Sequence, residues 1–305
     1  MIEAHGLVKR YGSTMAVNDL SFSIRPGLVT GFLGPNGAGK TTTMRMILGL
    51  DAPTQGSVTV DGRSYRDLPA PMHEVGALLD AKALHGGRRA FDHLLCLAQS
   101  NGIPRRRVDE VLRTVGLEDV ARRRVKGFSL GMSQRLGIAS ALLGDPAVLI
   151  FDEPVNGLDP DGIHWVRTLM RALAAEGRTV LVSSHLMSER ALTAEHLLVI
   201  GKGRLIADAS VDEFVRSSSQ RSVHVRSPPA AELAARGREA GATVRSGTDP
   251  DVIEITGMDS AEVGKLAAAH GIVLFELTPV KASLEEAFME LTRDSVEYQA
   301  AGATR

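Results

Sequence analysis

Cysteine is almost absent from this 305-residue chain. Cys96 stands alone, so an internal disulfide is excluded and a reducing compartment is compatible. Its simplest role is that of a small buried hydrophobe. An excess of one charge is also lacking. The 35 basic and 36 acidic residues leave a net charge of −1, which marks neither nucleic acid nor an anionic membrane as a partner. The basic residues are mostly arginine, and alanine and glycine abound, which suggests a GC-rich coding bias more than a binding surface. No uncharged apolar run approaches the ~20 residues that span a bilayer, so work at a membrane would pass through a partner. Met1-Ile2-Glu3-Ala4-His5 offers no basic start and no apolar run, and a secretory signal is not expected. No internal repeat occurs at the periods that mark solenoids. What is present is an ordinary globular composition, 44% hydrophobic and 23% charged. The length suits one large domain with a small one, or two of medium size.

Residues 34–41 read Gly34-Pro35-Asn36-Gly37-Ala38-Gly39-Lys40-Thr41, the spacing G-x-x-x-x-G-K-[ST]. A strand-like run, Val29 to Leu33, precedes it, and a helix-like run, Thr42 to Leu50, follows. The glycines let the backbone curl until several N–H groups face one anion. The helix start adds its positive dipole end. Lys40 is placed to reach the β- and γ-phosphates of a nucleotide, and the Thr41 hydroxyl to ligate Mg²⁺. The nucleotide-binding set is therefore Gly34, Pro35, Asn36, Gly37, Ala38, Gly39, Lys40, Thr41 and Thr42.

Strands are expected at Ile2 to Leu7, Ala16 to Ile24 and Thr54 to Asp61, separated by Tyr11-Gly12 and Pro26-Gly27. Residues 88–145 turn helical, with Phe91, Leu94, Leu95, Leu97 and Ala98 at helical spacing. Arg105-Arg106-Arg107 and Arg122-Arg123-Arg124 read as solvated helix ends. Strands resume at Ala147 to Phe151, Thr179 to Ser183 and Leu197 to Ile200. Strands alternating with helices imply a parallel sheet covered on both faces. Around residue 215 the character changes, and 216–220 read as a polar linker. Beyond it come Ser222 to Val225, Ala230 to Ala240, Thr243 to Arg245, Val252 to Thr256, Ser260 to Ala269 and Ile272 to Leu277. That order is β-α-β-β-α-β, a ferredoxin-like α+β pattern over 221–294. A last helix opens with Ser283 and Glu286 at capping-box spacing. The small, polar tail 295–305 is expected to be loose.

The run Ala147 to Phe151 ends in Asp152-Glu153. In a parallel sheet the carboxyl ends of strands face the ligand. Asp152 is placed to hold Mg²⁺, directly or through water. Glu153 is placed to orient or deprotonate an attacking water.

Just upstream, Phe128-Ser129-Leu130-Gly131-Met132-Ser133-Gln134-Arg135 opens an apolar helix. Phosphate loop, serine-glycine segment and paired carboxylates, in that order, resemble the ATPase subunit of an ABC transporter. The family signature Leu-Ser-Gly-Gly-Gln is matched at Ser129 and Gly131 and departed from at Phe128, Leu130 and Met132; Gln134-Arg135 fits. The resemblance covers roughly 1–215 and implies an α/β P-loop NTPase core with a helical subdomain near 80–145. It implies that Tyr11 stacks on adenine. It implies that Ser129 and Gly131 meet the γ-phosphate held by an opposing subunit, and that His185 contacts that phosphate and supports catalysis with Glu153 and Lys40. Gly157-Leu158-Asp159 resembles the loop that communicates between two ATP sites. The family usually has a glutamine where Asp80 stands, so Asp80 is a candidate metal ligand of altered geometry.

The implied activity is ATP hydrolysis with Mg²⁺, powering export of a small hydrophobic compound, antibiotic or lipid. The implied partners are a second ATPase subunit, in a homodimer, and a separate transmembrane permease, met through Asp80 to Leu95 and the helical region. No nucleic acid is expected, and the implied location is the cytoplasmic face of the cell membrane. The rival readings are a soluble ATP-gated protein of ribosome or DNA, and a low-hydrolysis regulatory module. A single cassette without a heptad run speaks against the ribosome or DNA reading.

Overall fold

The computed structural model describes residues 1–184, 194–217, 222–228, 230–247, 249–280 and 284–292. His185, linker residues 218–220, Ser283 of the expected capping box and the tail 295–305 lie outside the described residues. The chain divides into two compact units, Met1–Ser210 and Val211–Arg293.

In the first unit, β1 (Ile2–Tyr11) and β2 (Thr14–Ile24) form a long antiparallel pair. Next, β3 (Val29–Leu33) and α1 (Lys40–Ile47) flank the glycine loop. Strand β4 (Gln55–Val60) returns to pair with β1, giving a separate three-stranded sheet in the order β2-β1-β4. Sequence alternation located these strands but not their separation from the parallel sheet. Pairing partners far apart in sequence decide that, and periodicity carries no information about them.

A short helix α2 (Pro71–Glu74) leads into β5 (Val75–Leu78). Three helices follow: α3 (Ala90–Ser100), α4 (Arg106–Thr114) and α5 (Leu130–Leu142). The order then runs β6 (Val148–Phe151), α6 (Pro160–Ala175), β7 (Thr179–Ser184), β8 (His196–Gly201) and β9 (Arg204–Ser210). The main sheet has the order β5-β6-β7-β3-β8-β9, parallel throughout except for the antiparallel edge strand β9.

Side chains of β6 alternate between two cores. Leu149 and Phe151 join Leu94, Val108 and Leu136 from the helical region. Val148 and Ile150 join Ile2, Phe22 and Met44 from the three-stranded sheet and α1. Every residue of β6 is fully buried, as a central parallel strand requires.

One residue of the two arginine runs departs from the expected solvation. Arg122, Arg123 and Arg124 are exposed. Arg107, however, is not merely solvated. It donates to the Leu142 carbonyl at 3.0 Å and to Asp145 Oδ1 at 3.1 Å, closing the C-terminal end of α5.

The second unit opens with α7 (Val211–Ser217). Its remaining elements are β10 (Ser222–Arg226), α8 (Ala230–Glu239), β11 (Thr243–Ser246), β12 (Val252–Thr256), α9 (Ser260–Ala269), β13 (Glu276–Val280) and α10 (Leu284–Thr292). The antiparallel sheet runs β11-β12-β10-β13, the ferredoxin-like arrangement. The last strand lies later than the expected Ile272 to Leu277. Ile272 and Leu274 pack on the core, but pairing with β10 starts at Glu276↔Arg226. Pro279 is tolerated because β13 is an edge strand.

Candidate active site

The glycine loop is shaped by backbone demands. Gly37 and Gly39 have φ of 82° and 102°, where side chains are strained. A Cβ at Gly34 would lie 2.5 Å from the Ile200 carbonyl oxygen. Gly39 is the N-cap of α1 and provides no side-chain cap. The first-turn N–H groups are thus left to a ligand, at the positive end of the helix.

Lys40 is only 7% exposed. Its Nζ donates to the carbonyls of Gly34 at 2.6 Å and Pro35 at 3.2 Å. Burial pulls its pKa below the ordinary lysine value, while the Glu153 and Asp152 carboxylates act in the opposite direction.

The acidic side is set by register. Phe151 pairs with Val182, so Asp152 and Ser183 come next to each other at the strand tips. Thr41 Oγ1 donates to Asp152 Oδ2 at 2.7 Å, and Ser183 Oγ donates to Asp152 Oδ1. The Glu153 N–H donates to Ser183 Oγ at 2.9 Å. Glu153 has φ of 51°, a left-handed conformation that costs a non-glycine residue about 1–2 kcal/mol.

These groups surround a cavity of about 300 Å³, lined by Ala16, residues 36–42, Leu79, Asp152 and Glu153. The structure therefore brings Asn36, Gly37, Ala38, Gly39, Lys40, Thr41, Thr42, Asp152 and Glu153 together, with Gly34 and Pro35 supplying the carbonyls that hold Lys40.

Other expected residues are elsewhere. Tyr11 does not line the cavity; its hydroxyl donates to Asp51 at 2.7 Å, and Lys9 Nζ sits 4.9 Å from its ring centroid. Arg45 and the Tyr11 hydroxyl hold Asp51 down at a pKa of about 2. Asp80 is exposed and outside the lining, and its Oδ1 accepts the Lys82 N–H at 2.7 Å. Ser129 is the N-cap of α5, with Oγ accepting the Met132 N–H at 3.2 Å. Neither Ser129 nor Gly131 lines this cavity. Sequence reasoning missed Ser183, whose signal was a polar residue closing a buried apolar strand. It also missed Ala16 and Leu79, apolar wall residues that carry no signal at all.

The ABC transporter family profile matches residues 17–156, and a domain of unknown function, DUF8746, matches 221–285. An uncharacterised ABC transporter ATP-binding protein of Bacillus subtilis is 36% identical over 301 residues, covering 97% of both chains. This chain belongs to the ATP-binding subunits of ABC transporters. The bacitracin transport ATP-binding protein of Bacillus licheniformis is 41% identical over 70% of this chain and 71% of its own. Among solved structures, the ATP-binding subunit of an ABC transporter superposes with a TM-score of 0.62 at 28% identity, covering 71% of this chain and 92% of the other. A dimeric bacterial ABC transporter cassette gives 0.63 at 25% identity, covering 69% and 98%. The chain is accordingly an ATPase of the ABC class: it binds ATP and couples its hydrolysis to transport.

Proposed function

We propose that two copies of this chain clamp ATP between them and drive a separate permease that exports a small hydrophobic compound, an antibiotic or a lipid. The observation that carries the reading is that Lys40, Thr41, Asp152 and Glu153 meet the glycine loop around one cavity. The loop N–H groups and Lys40 bind the β- and γ-phosphates. Glu153 takes a proton from water, whose oxygen attacks the γ-phosphorus. The bond to the bridging oxygen breaks, and that oxygen keeps the electron pair and leaves with ADP. Ser129, at the N-terminus of α5, faces the phosphate held by the opposing subunit. His185, Tyr11 and Asp80 keep their family roles of phosphate contact, adenine stacking and metal sensing in this proposal.

Thr41 and Asp152 fit a divalent cation. They are hard oxygen ligands 2.7 Å apart, on two elements that both face the phosphate loop. Mg²⁺ bound there would offset phosphate charge during the transfer.

Export is supported by relatives whose names specify bacitracin and lantibiotic transport. The homodimer is supported by the solved dimeric cassette. Among the described residues no helix is long and apolar enough to cross a membrane. The proposal gives that crossing to the permease, with this chain on its cytoplasmic face. These relatives favour transport over the ribosome- or DNA-associated alternative.

Asp152→Asn tests the site. The Mg²⁺ concentration for half-maximal ATP turnover is expected to rise about 10–100-fold. An unchanged Mg²⁺ requirement would remove Asp152 from the metal site.

A further inference from the structure

Helix α5 and the turn that follows β6 interlock. Leu130 and Gln134 are four residues apart and share a helix face. A Cβ at Gly157, where φ is 75°, would come within 2.1 Å of Leu130 Cδ2. A Cβ at Gly131 would lie 3.2 Å from Leu158 Cδ2. Between these contacts Gln134 is 5% exposed, and its Nε2 donates to the carbonyls of Glu153 and Asn156, both at 3.3 Å. Its Oε1 is buried with no hydrogen-bond partner among the described residues.

An orphaned buried carbonyl is a cost that leucine or methionine at this position would avoid. The amide is therefore explained by its donor end. That end grips the Glu153 carbonyl, while Ser183 on β7 accepts the Glu153 N–H. The two hydrogen bonds hold the peptides on either side of a residue in the left-handed region. Such a conformation persists only where its surroundings fix it.

We infer that Gln134 is a positioning residue for Glu153. It ties the helix capped by Ser129 to the turn that aims the base, so the aim of Glu153 follows the placement of α5. The inference rests on the proposed role of Glu153 and goes beyond it. In the dimer Ser129 faces the partner's nucleotide, so Gln134 makes each base responsive to the opposite site.

The test uses the full chain. Gln134→Met keeps the volume and removes the donor. The expected kcat for ATP is about 10–100-fold lower, with the affinity for a fluorescent ATP analogue within about twofold. Gln134→Glu adds a readout that a packing role would not move. Ionised, its carboxylate opposes two carbonyls; protonated, it donates to one again. Its rate relative to wild type is expected to rise as pH falls from about 9 to about 6. Wild-type kcat in Gln134→Met overturns the inference, as does a flat ratio in Gln134→Glu. The pH ratio decides alone should Gln134→Met fail to fold. Glu153→Gln separates the two levels. If it hydrolyses ATP normally, the reading of Glu153 fails; if it is inactive while Gln134→Met is normal, only the positioning role fails.

Discussion

Glu153→Gln is expected to slow ATP turnover by a factor of about 10²–10⁴ while leaving nucleotide affinity within a few-fold. Asp152 and Glu153 share a strand tip and a cavity, but their surroundings differ. Both Asp152 oxygens accept hydroxyl hydrogens, from Thr41 and from Ser183, so its side chain is fixed toward the loop. Glu153, with its positive φ at the end of the strand, lines the cavity wall, and the proposed mechanism brings the attacking water to it there. Glutamine keeps the shape and the backbone contacts but loses both the proton acceptor and the negative charge that acts on Lys40. Phosphate release under saturating ATP measures the effect, and a wild-type rate would take the chemistry away from Glu153.

A second large effect concerns where one site ends. Ser129 is displaced from its own chain's cavity, at the N-cap of α5, beside Leu130, which is 43% exposed. A serine with a helix N-terminus behind it suits a phosphate, and in the proposed dimer that phosphate belongs to the nucleotide of the opposing subunit. Homodimers of Ser129→Arg or of Lys40→Ala carry two damaged sites and are expected to lose nearly all turnover. A mixed dimer with Ser129→Arg on one chain and Lys40→Ala on the other confines both lesions to one site and leaves the second intact. That mixture is expected to recover activity that neither parent has. No recovery would mean that the two sites are not composite, or that neither works alone.

Much of this was legible because it is local. The phosphate loop needs its glycines, lysine and threonine at fixed spacing between a strand and a helix, and β3 and α1 lie where that spacing puts them, with α1 starting at Lys40 in place of Thr42. Asp152-Glu153 was legible because an apolar run in a parallel sheet can only be a buried strand, and its end faces the ligand. The β-α-β-β-α-β order of the second unit was readable from turns and alternation, although β13 begins later than its apolar run.

What was not legible is non-local. Ser183 matters because β7 lies beside β6 in one register. Gln134 matters because α5 packs on a turn that begins 19 residues downstream. Tyr11 is tied to Asp51, 40 residues away, and that pairing could not be read from either residue. Asp80 makes a two-residue turn with Lys82, a local alternative that short acidic side chains commonly take.

In the proposed dimer, magnesium ATP joins two copies of this chain through opposed loops and α5 N-termini. Sedimentation velocity of Glu153→Gln, with and without saturating magnesium ATP, reads this joining, because slowed hydrolysis holds the clamped state. The expected result is a shift from monomer to dimer that requires nucleotide and is abolished by adding Ser129→Arg. A Glu153→Gln protein that stays monomeric with magnesium ATP bound would contradict it.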